Sequence, residues 1–138
     1  MKTARVANIA SAATVQPTIL VVEADPDLAE TFTLALQQEL QARVLRASTA
    51  EQALRLVKTA TPNLLLIEDE LPGMHGLDLY ERLCADERLR RVPALLIDPA
   101  ESSALRSSGR LWSLWKPFDF LEMLNLIQQL LWHETRAH

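Results

Sequence analysis

Carboxylates and one lysine recur directly behind apolar runs in this chain of 138 residues. Thr18 to Val22 (TILVV) is followed by Glu23, Ala24 and Asp25, Leu64 to Ile67 by Glu68, Ala94 to Ile97 by Asp98, and Leu111 to Trp115 by Lys116. A carboxylate at the tip of a buried apolar run is costly unless something pairs with it. Brought together, these groups have two chemistries open to them. They can bind a hard divalent cation, which takes oxygen ligands, or they can neutralise one another around Lys116. No Gly-rich phosphate loop, nucleophile elbow or zinc spacing accompanies them. His75 reads as a solvated loop residue, and His133 and His138 lie near the C-terminus without a metal spacing. The single cysteine, Cys84, cannot form an internal disulfide and reads as a packed thiol in a reducing cytoplasm.

The elements that would position these groups alternate. TILVV is an unbroken β-rich run, the pattern of a strand buried on both faces. Pro26 and Asp27 open a helical pattern through Leu40, with Leu28, Phe32, Ala35, Leu36 and Leu40 on one side. Arg43 to Ala47 is a short second strand, and Ser48 with Glu51 makes a capping box for a helix to about Thr59. Pro62-Asn63 turns the chain into the strand Leu64 to Ile67, and Leu71-Pro72-Gly73 is a loop. A helix is predicted from Leu77 to about Asp86, a strand over Ala94 to Ile97 and a short helix over Ala100 to Ser107. Leu111 to Trp115 is the last strand, and Asp119 with Glu122 caps a final helix to about His133. Five such alternations with apolar central strands imply an α/β domain, a parallel sheet with helices on both faces. The functional crevice of such a sheet lies beyond the carboxyl ends of its strands, where the acids and the lysine stand.

Length and composition fit one domain over residues 17–138, preceded by a flexible tail over residues 1–16. The tail has two early cations and much Ala but no continuous apolar segment, which argues against a signal peptide. No apolar stretch approaches the ~18 residues of a membrane span. Net charge is −4 and no basic run exceeds Arg90-Arg91, which argues against nucleic-acid and membrane partners.

Three segments in order resemble the receiver domains of two-component response regulators. ILVVEADPDL is similar to the ILVVDDEPDL opening of that family, PNLLLIEDELPGMHGLDL to its PDLILLDIMLPGMDGLEL, and KPFD at 116–119 to its Lys-Pro-Phe. The resemblance runs from about Thr18 to Leu131. It implies the flavodoxin-like (CheY-like) five-stranded parallel sheet of order 2-1-3-4-5. It also implies a function: an aspartate ending the third strand accepts a phosphoryl group beside magnesium, which is held by two acids after the first strand and by the acceptor. A Ser or Thr ending the fourth strand and a Lys after the fifth grip the phosphoryl oxygens, and an aromatic on the fifth strand moves inward. That movement changes the face formed by the fifth strand and the helices flanking it.

Carried over residue by residue, the resemblance is incomplete. Glu23 stands at the first acid position, where it can act through water, and Ala24 at the second, so one magnesium ligand is missing. Glu68 stands at the acceptor position, Asp98 at the hydroxyl position and Ser113 at the switch aromatic, whereas Lys116 and Pro117 remain. The resemblance also implies a cis bond before Pro117. Glu is longer than Asp by one methylene, roughly 1.5 Å, and a misplacement of about 1 Å can cost on the order of 100-fold in rate. Asp98 sets negative charge where phosphoryl oxygens would sit, and magnesium demands near-ideal octahedral coordination. The expectation is a degenerate pocket of Glu23, Ala24, Asp25, Glu68, Asp98 and Lys116 with magnesium binding weak or absent. Glu68 would pair with Lys116, Asp98 would share that cation, and one carboxylate would hold a raised pKa. Drift in a disused pocket is the competing account.

The expected activity is therefore protein–protein contact in bacterial signalling without phosphorylation or catalysis. The alternatives are a working phospho-acceptor using Glu68 or Asp69, although alternation points Asp69 away from Glu68, and a flavodoxin-like small-ligand binder. Asp98 and Lys116 are separated by eighteen positions, shorter than the family spacing, and PAESSALRSSGR between them is serine-rich. Contact is expected at the last strand and helix, through Trp112, Trp115, Leu126 and Leu130, with a homodimer as one form. No output domain is visible before His138.

Overall fold

Unbroken apolar runs become strands, and in this computed structural model, which describes residues 16–100 and 110–136, they pair in parallel. The strands are β1 (Thr18–Val22), β2 (Arg43–Ala47), β3 (Leu64–Glu68), β6 (Ala94–Ile97) and β7 (Leu111–Leu114), with β4 (Glu70–Leu71) and β5 (Met74–His75) forming a small hairpin. The sheet order is β2-β1-β3-β6-β7, the expected crossover pattern. Every residue of β3 is buried, consistent with a central strand covered on both faces. Helices α1 (Pro26–Leu40) and α4 (Phe120–Arg136) cover one face, where Phe32, Leu36, Met123 and Ile127 meet Ile19, Val21, Leu64 and Leu66. Helices α2 (Ala50–Leu56) and α3 (Gly76–Leu83) cover the other, where Ala53, Leu79 and Leu83 meet Leu20, Val22, Leu65 and Ile67. The register sets Val22 beside Ala47 and Ile67, and Glu68 beside Ile97, so the exits of β1, β3 and β6 open at one edge.

Several boundaries differ from the sequence reading, each for a local reason. The N-cap of α2 is Thr49, whose side chain accepts from Gln52 N–H, and Gln52 Oε1 turns back to accept from Ser48 N–H. The capping pair is thus shifted by one residue from Ser48 and Glu51. The Leu71-Pro72-Gly73 loop is the turn of the β4–β5 hairpin, with Gly73 at φ 80°, a conformation that costs glycine little. The expected long helix from Leu77 starts at Gly76, ends at Leu83 and gives way to a 3₁₀ turn over Glu87–Leu89. Asp119 does cap α4, accepting from Leu121 N–H at 2.8 Å. The Lys116–Pro117 bond is cis. The tail over residues 1–15, most of the expected helix from Ala100 to Ser107, the His133 side chain and His138 lie outside the described residues.

Gly76 is where the fold presses hardest on the acidic edge. A Cβ there would lie 2.6 Å from the Glu68 carbonyl oxygen and 2.9 Å from Asp69 Cα, both backbone atoms that cannot step aside. Gly76→Ala is expected to destabilise the domain by about 1–3 kcal/mol in urea denaturation, through overpacking. A midpoint unchanged from the parent would mean that the α3 start can retreat from β3.

Candidate functional site

Parallel strand exits bring Glu23, Glu68 and Lys116 together. Glu68, the last residue of β3, is 7% exposed, and Glu23, just past β1, is 5% exposed. Lys116 Nζ lies 3.3 Å from Glu68 Oε1, the pairing expected from the sequence. The contact is an ion pair without hydrogen-bond alignment: Oε1 of Glu68 and Oε1 of Glu23 are both buried and without a hydrogen-bond partner. Glu23 is anchored through its other oxygen, which accepts from Asp25 N–H at 3.0 Å.

Burial first, and then hydrogen bonding and charge from the adjacent Glu23 carboxyl, push the Glu68 carboxyl up to about 7 against the opposing pull of Lys116. The raised carboxyl expected in the cluster is therefore Glu68, and its like-charged neighbour is Glu23 rather than Asp98. Two water-excluded carboxyls in contact are satisfied when one proton lies between them, as in other close acid pairs.

Two site residues expected from the sequence, Asp25 and Asp98, do other work. Asp25 is exposed and is the N-cap of α1, its carboxylate accepting from Asp27 N–H and Leu28 N–H, so it faces the helix and not the pocket. Asp98 is exposed and sits at φ 53°, a left-handed conformation that Asp tolerates better than most residues. Its Oδ1 accepts from the backbone N–H of Lys116 at 3.3 Å, so it holds the β7 exit by its main chain and does not share the ammonium. Ala24 is partly buried and supplies no oxygen from its side chain. Ser113 is half-buried in β7 opposite Leu96, with no aromatic ring at that position to move. Among the described residues no group of three His, Cys, Asp or Glu side chains is gathered to hold a metal ion.

The residue after Glu68 points away from the pocket, as alternation requires. Asp69 is 2% exposed and its carboxylate accepts from Leu77 N–H and Ala100 N–H. Those bonds engage the oxygens that a shifted acceptor would have to present.

At the far edge, Trp112 (37%), Trp115 (50%), Leu121 (63%) and Trp132 (59%) are the large exposed apolar residues of β7, its exit and α4. A groove of about 490 Å³ runs between Leu114, Leu121, Leu126 and Gln129. Leu126 is half-buried on its wall. Leu130, expected at the surface, is 4% exposed and belongs to the core, because with Met123 and Ile127 it forms the inward stripe of α4. Leu121 and Trp132, which the sequence did not single out, take its place on the exposed side.

Lys116→Ala isolates the ion pair. The ammonium is 41% exposed on its side chain, so solvent screening discounts its worth. The expected loss is about 1 kcal/mol at pH 8.5, where Glu68 is ionised, and close to none at pH 5.5, where it is neutral. Equal losses at both pH values in urea denaturation would show that the lysine stem, not its charge, matters.

The model of the response regulator receiver domain matches residues 19–128 of this chain. Over 74 residues the chain is 40% identical to the DNA-binding response regulator MtrA of Mycolicibacterium smegmatis. That match takes in 53% of this chain and 32% of the relative, so it spans about a third of the length of that protein. Among solved structures, it is 29% identical to the non-phosphorylated HemR receiver domain from Leptospira biflexa, with a TM-score of 0.73, covering 84% of this chain and 94% of that one. A CheY-like receiver domain protein from Methanospirillum hungatei superposes with a TM-score of 0.79 over 90% of this chain and all of the other, at 22% identity, a likeness of fold. No helix among the described residues is long and apolar enough to cross a membrane.

Proposed function

This chain belongs to the response regulator receiver domain family of two-component signalling, and from that premise we propose that it signals by protein–protein contact without being phosphorylated. One observation carries this reading: the side chain at the acceptor position is a glutamate, 93% buried, already within 3.3 Å of the lysine that would grip a phosphoryl group. Its carboxyl fills the space an incoming phosphoryl group would need, and burial beside Glu23 holds its own proton more tightly than usual. The pocket is thereby held in one state by its own residues.

Magnesium does not fit this donor set. Ala24 offers no side-chain oxygen, Asp25 is turned to cap α1, and the inward oxygens of Glu23 and Glu68 face each other. A hard cation needs several oxygens around an open position, and that requirement is not met. Incubation of the chain with magnesium and acetyl phosphate, followed by intact-mass measurement, is expected to give the unmodified mass. A labile adduct of about 80 Da on Glu68 would sink the proposal.

The partner surface is the β7–α4 edge, where Trp112, Trp115, Leu121 and Trp132 give exposed apolar area beside half-buried Leu126, with a polar rim of Glu122, Asn125 and Gln129. A second copy of this chain is one occupant of that edge. Replacing Leu121 and Trp132 with Ser is expected to weaken self-association roughly tenfold in sedimentation and to leave unfolding free energy within about 0.5 kcal/mol. A parent that stays monomeric at high micromolar concentration removes the self-association half of this reading. The net charge of −4 supports a protein partner over nucleic acid, and the lone thiol of Cys84 accords with a cytoplasmic setting.

A further inference from the structure

One buried carboxylate is left unused by the pocket, and its hydrogen bonds reach two separate stretches of chain. Helix α3 begins at Gly76 with His75 as N-cap, and His75 makes no side-chain capping bond. The cap comes instead from Asp69, whose Oδ1 accepts from Leu77 N–H at 3.2 Å across eight residues of chain. Oδ2 accepts from Ala100 N–H at 2.9 Å, across thirty-one, and lies 3.2 Å from Nδ1 of His75. The Asp69 backbone closes the same corner, donating to the Ile97 carbonyl at 3.0 Å and accepting from Gly76 N–H at 2.6 Å. A carboxylate near the first turn of a helix is favoured by the helix dipole, and charged acceptors bind backbone N–H groups more strongly than neutral ones do.

We propose that Asp69 is a built-in strap that ties the chain leaving β6 to the start of α3, fixing the rim of the site from the side opposite Glu68. It deepens the proposed function and rests on that reading in one respect: a rim held by a resident carboxylate needs no phosphoryl group to order it. The consequence extends toward the partner edge. Asp98 N–H donates to the Leu114 carbonyl at 2.7 Å, and Asp98 Oδ1 accepts from Lys116 N–H. The exit of β6 therefore stands between the Asp69 strap on one side and the β7 exit, with its exposed Trp115, on the other.

Amide hydrogen exchange by NMR on the full chain tests the strap. In Asp69→Asn, which keeps volume and one acceptor oxygen but loses the charge, Ala100 and Leu77 amides are expected to exchange at least roughly tenfold faster. Amides of Leu20, Val21 and Leu36 should keep the rates of the parent. Asp69→Ala should give a larger acceleration at the same two amides. If Asp69→Ala unfolds, the Asn variant still decides. Rates at Ala100 and Leu77 within twofold of the parent in folded Asp69→Asn would overturn the proposal, as would uniform acceleration at all amides. The readout contains no phosphodonor, so a chain that accepts a phosphoryl group yet shows the local exchange effect would remove the proposed function and leave the strap.

Discussion

The triple variant Ala24→Asp/Glu68→Asp/Asp98→Ser is expected to gain a phosphoryl group of about 80 Da on residue 68 when incubated with magnesium and acetyl phosphate, while the parent keeps its mass. Phosphoryl transfer to a carboxylate asks the protein chiefly for position and charge balance. Glu68→Asp withdraws the acceptor by roughly 1.5 Å from an ammonium now 3.3 Å away, opening space for the group to arrive. Ala24→Asp supplies the missing oxygen ligand on the β1 side. Asp98→Ser removes a negative charge from the β6 exit and offers a hydroxyl; Ser is chosen over Thr because a β-branched side chain is strained at φ 53°. With two orders of magnitude attached to about 1 Å of misplacement, the combined gain should be on the order of 10⁴ in rate. Single substitutions should recover little, since each leaves the other faults in place. Intact-mass measurement over a time course decides the matter. An inert triple variant would mean that something other than these three side chains disables the pocket, with the rim held by Asp69 the first place to look.

The fold was legible because its signals are local and repeated. The runs TILVV, LLLI and ALLI have no room for amphipathic alternation, and Pro26 and Asp119 mark helix starts by chemistry that acts within a turn, whereas the cap of α2 was read one residue early at Ser48. The Glu68–Lys116 pair was legible too, since parallel strands deliver their exits to one edge whatever lies between. What escaped the sequence depends on angles that spacing does not encode. A left-handed backbone at Asp98 turns its carboxylate to a main-chain N–H and away from the lysine ammonium. Asp25 has two roles open to it in sequence, pocket acid or cap, and the Pro26 that follows it selects the cap. That Glu23 would oppose Glu68 follows from the length of two glutamate side chains meeting across β1 and β3. The strap at Asp69 joins residues thirty-one apart with no pattern between them. Leu130 was misassigned because a stripe of apolar residues wider than one face shows only that some are exposed, not which.

Stability against pH should run opposite to that of an ordinary acid-rich domain. A carboxyl that ionises at about 7 when folded and near 4.5 when unfolded binds its proton more tightly in the native state. Its contribution is therefore fully present below pH 4.5 and is lost as pH rises through about 7. At ~1.4 kcal/mol for each pH unit between those values, the whole contribution is about 3 kcal/mol, of which about 2 kcal/mol should be recovered between pH 8 and pH 5.5. For a chain of this size that is roughly 6–10 °C in Tm. Glu68→Gln imitates the protonated form at every pH, so its own contribution should be flat: it should match the parent only below pH 4.5, exceed it by about 1.4 kcal/mol at pH 5.5 and exceed it by about 3 kcal/mol at pH 8. Other groups titrate in the same interval, which is why the difference between parent and variant is the quantity to plot. Thermal unfolding of both proteins across pH 5 to 8.5 separates the outcomes. Parallel curves would mean that Glu68 ionises freely, that Glu23 and burial do not hold its proton, and that the pocket is not the closed acid pair described above.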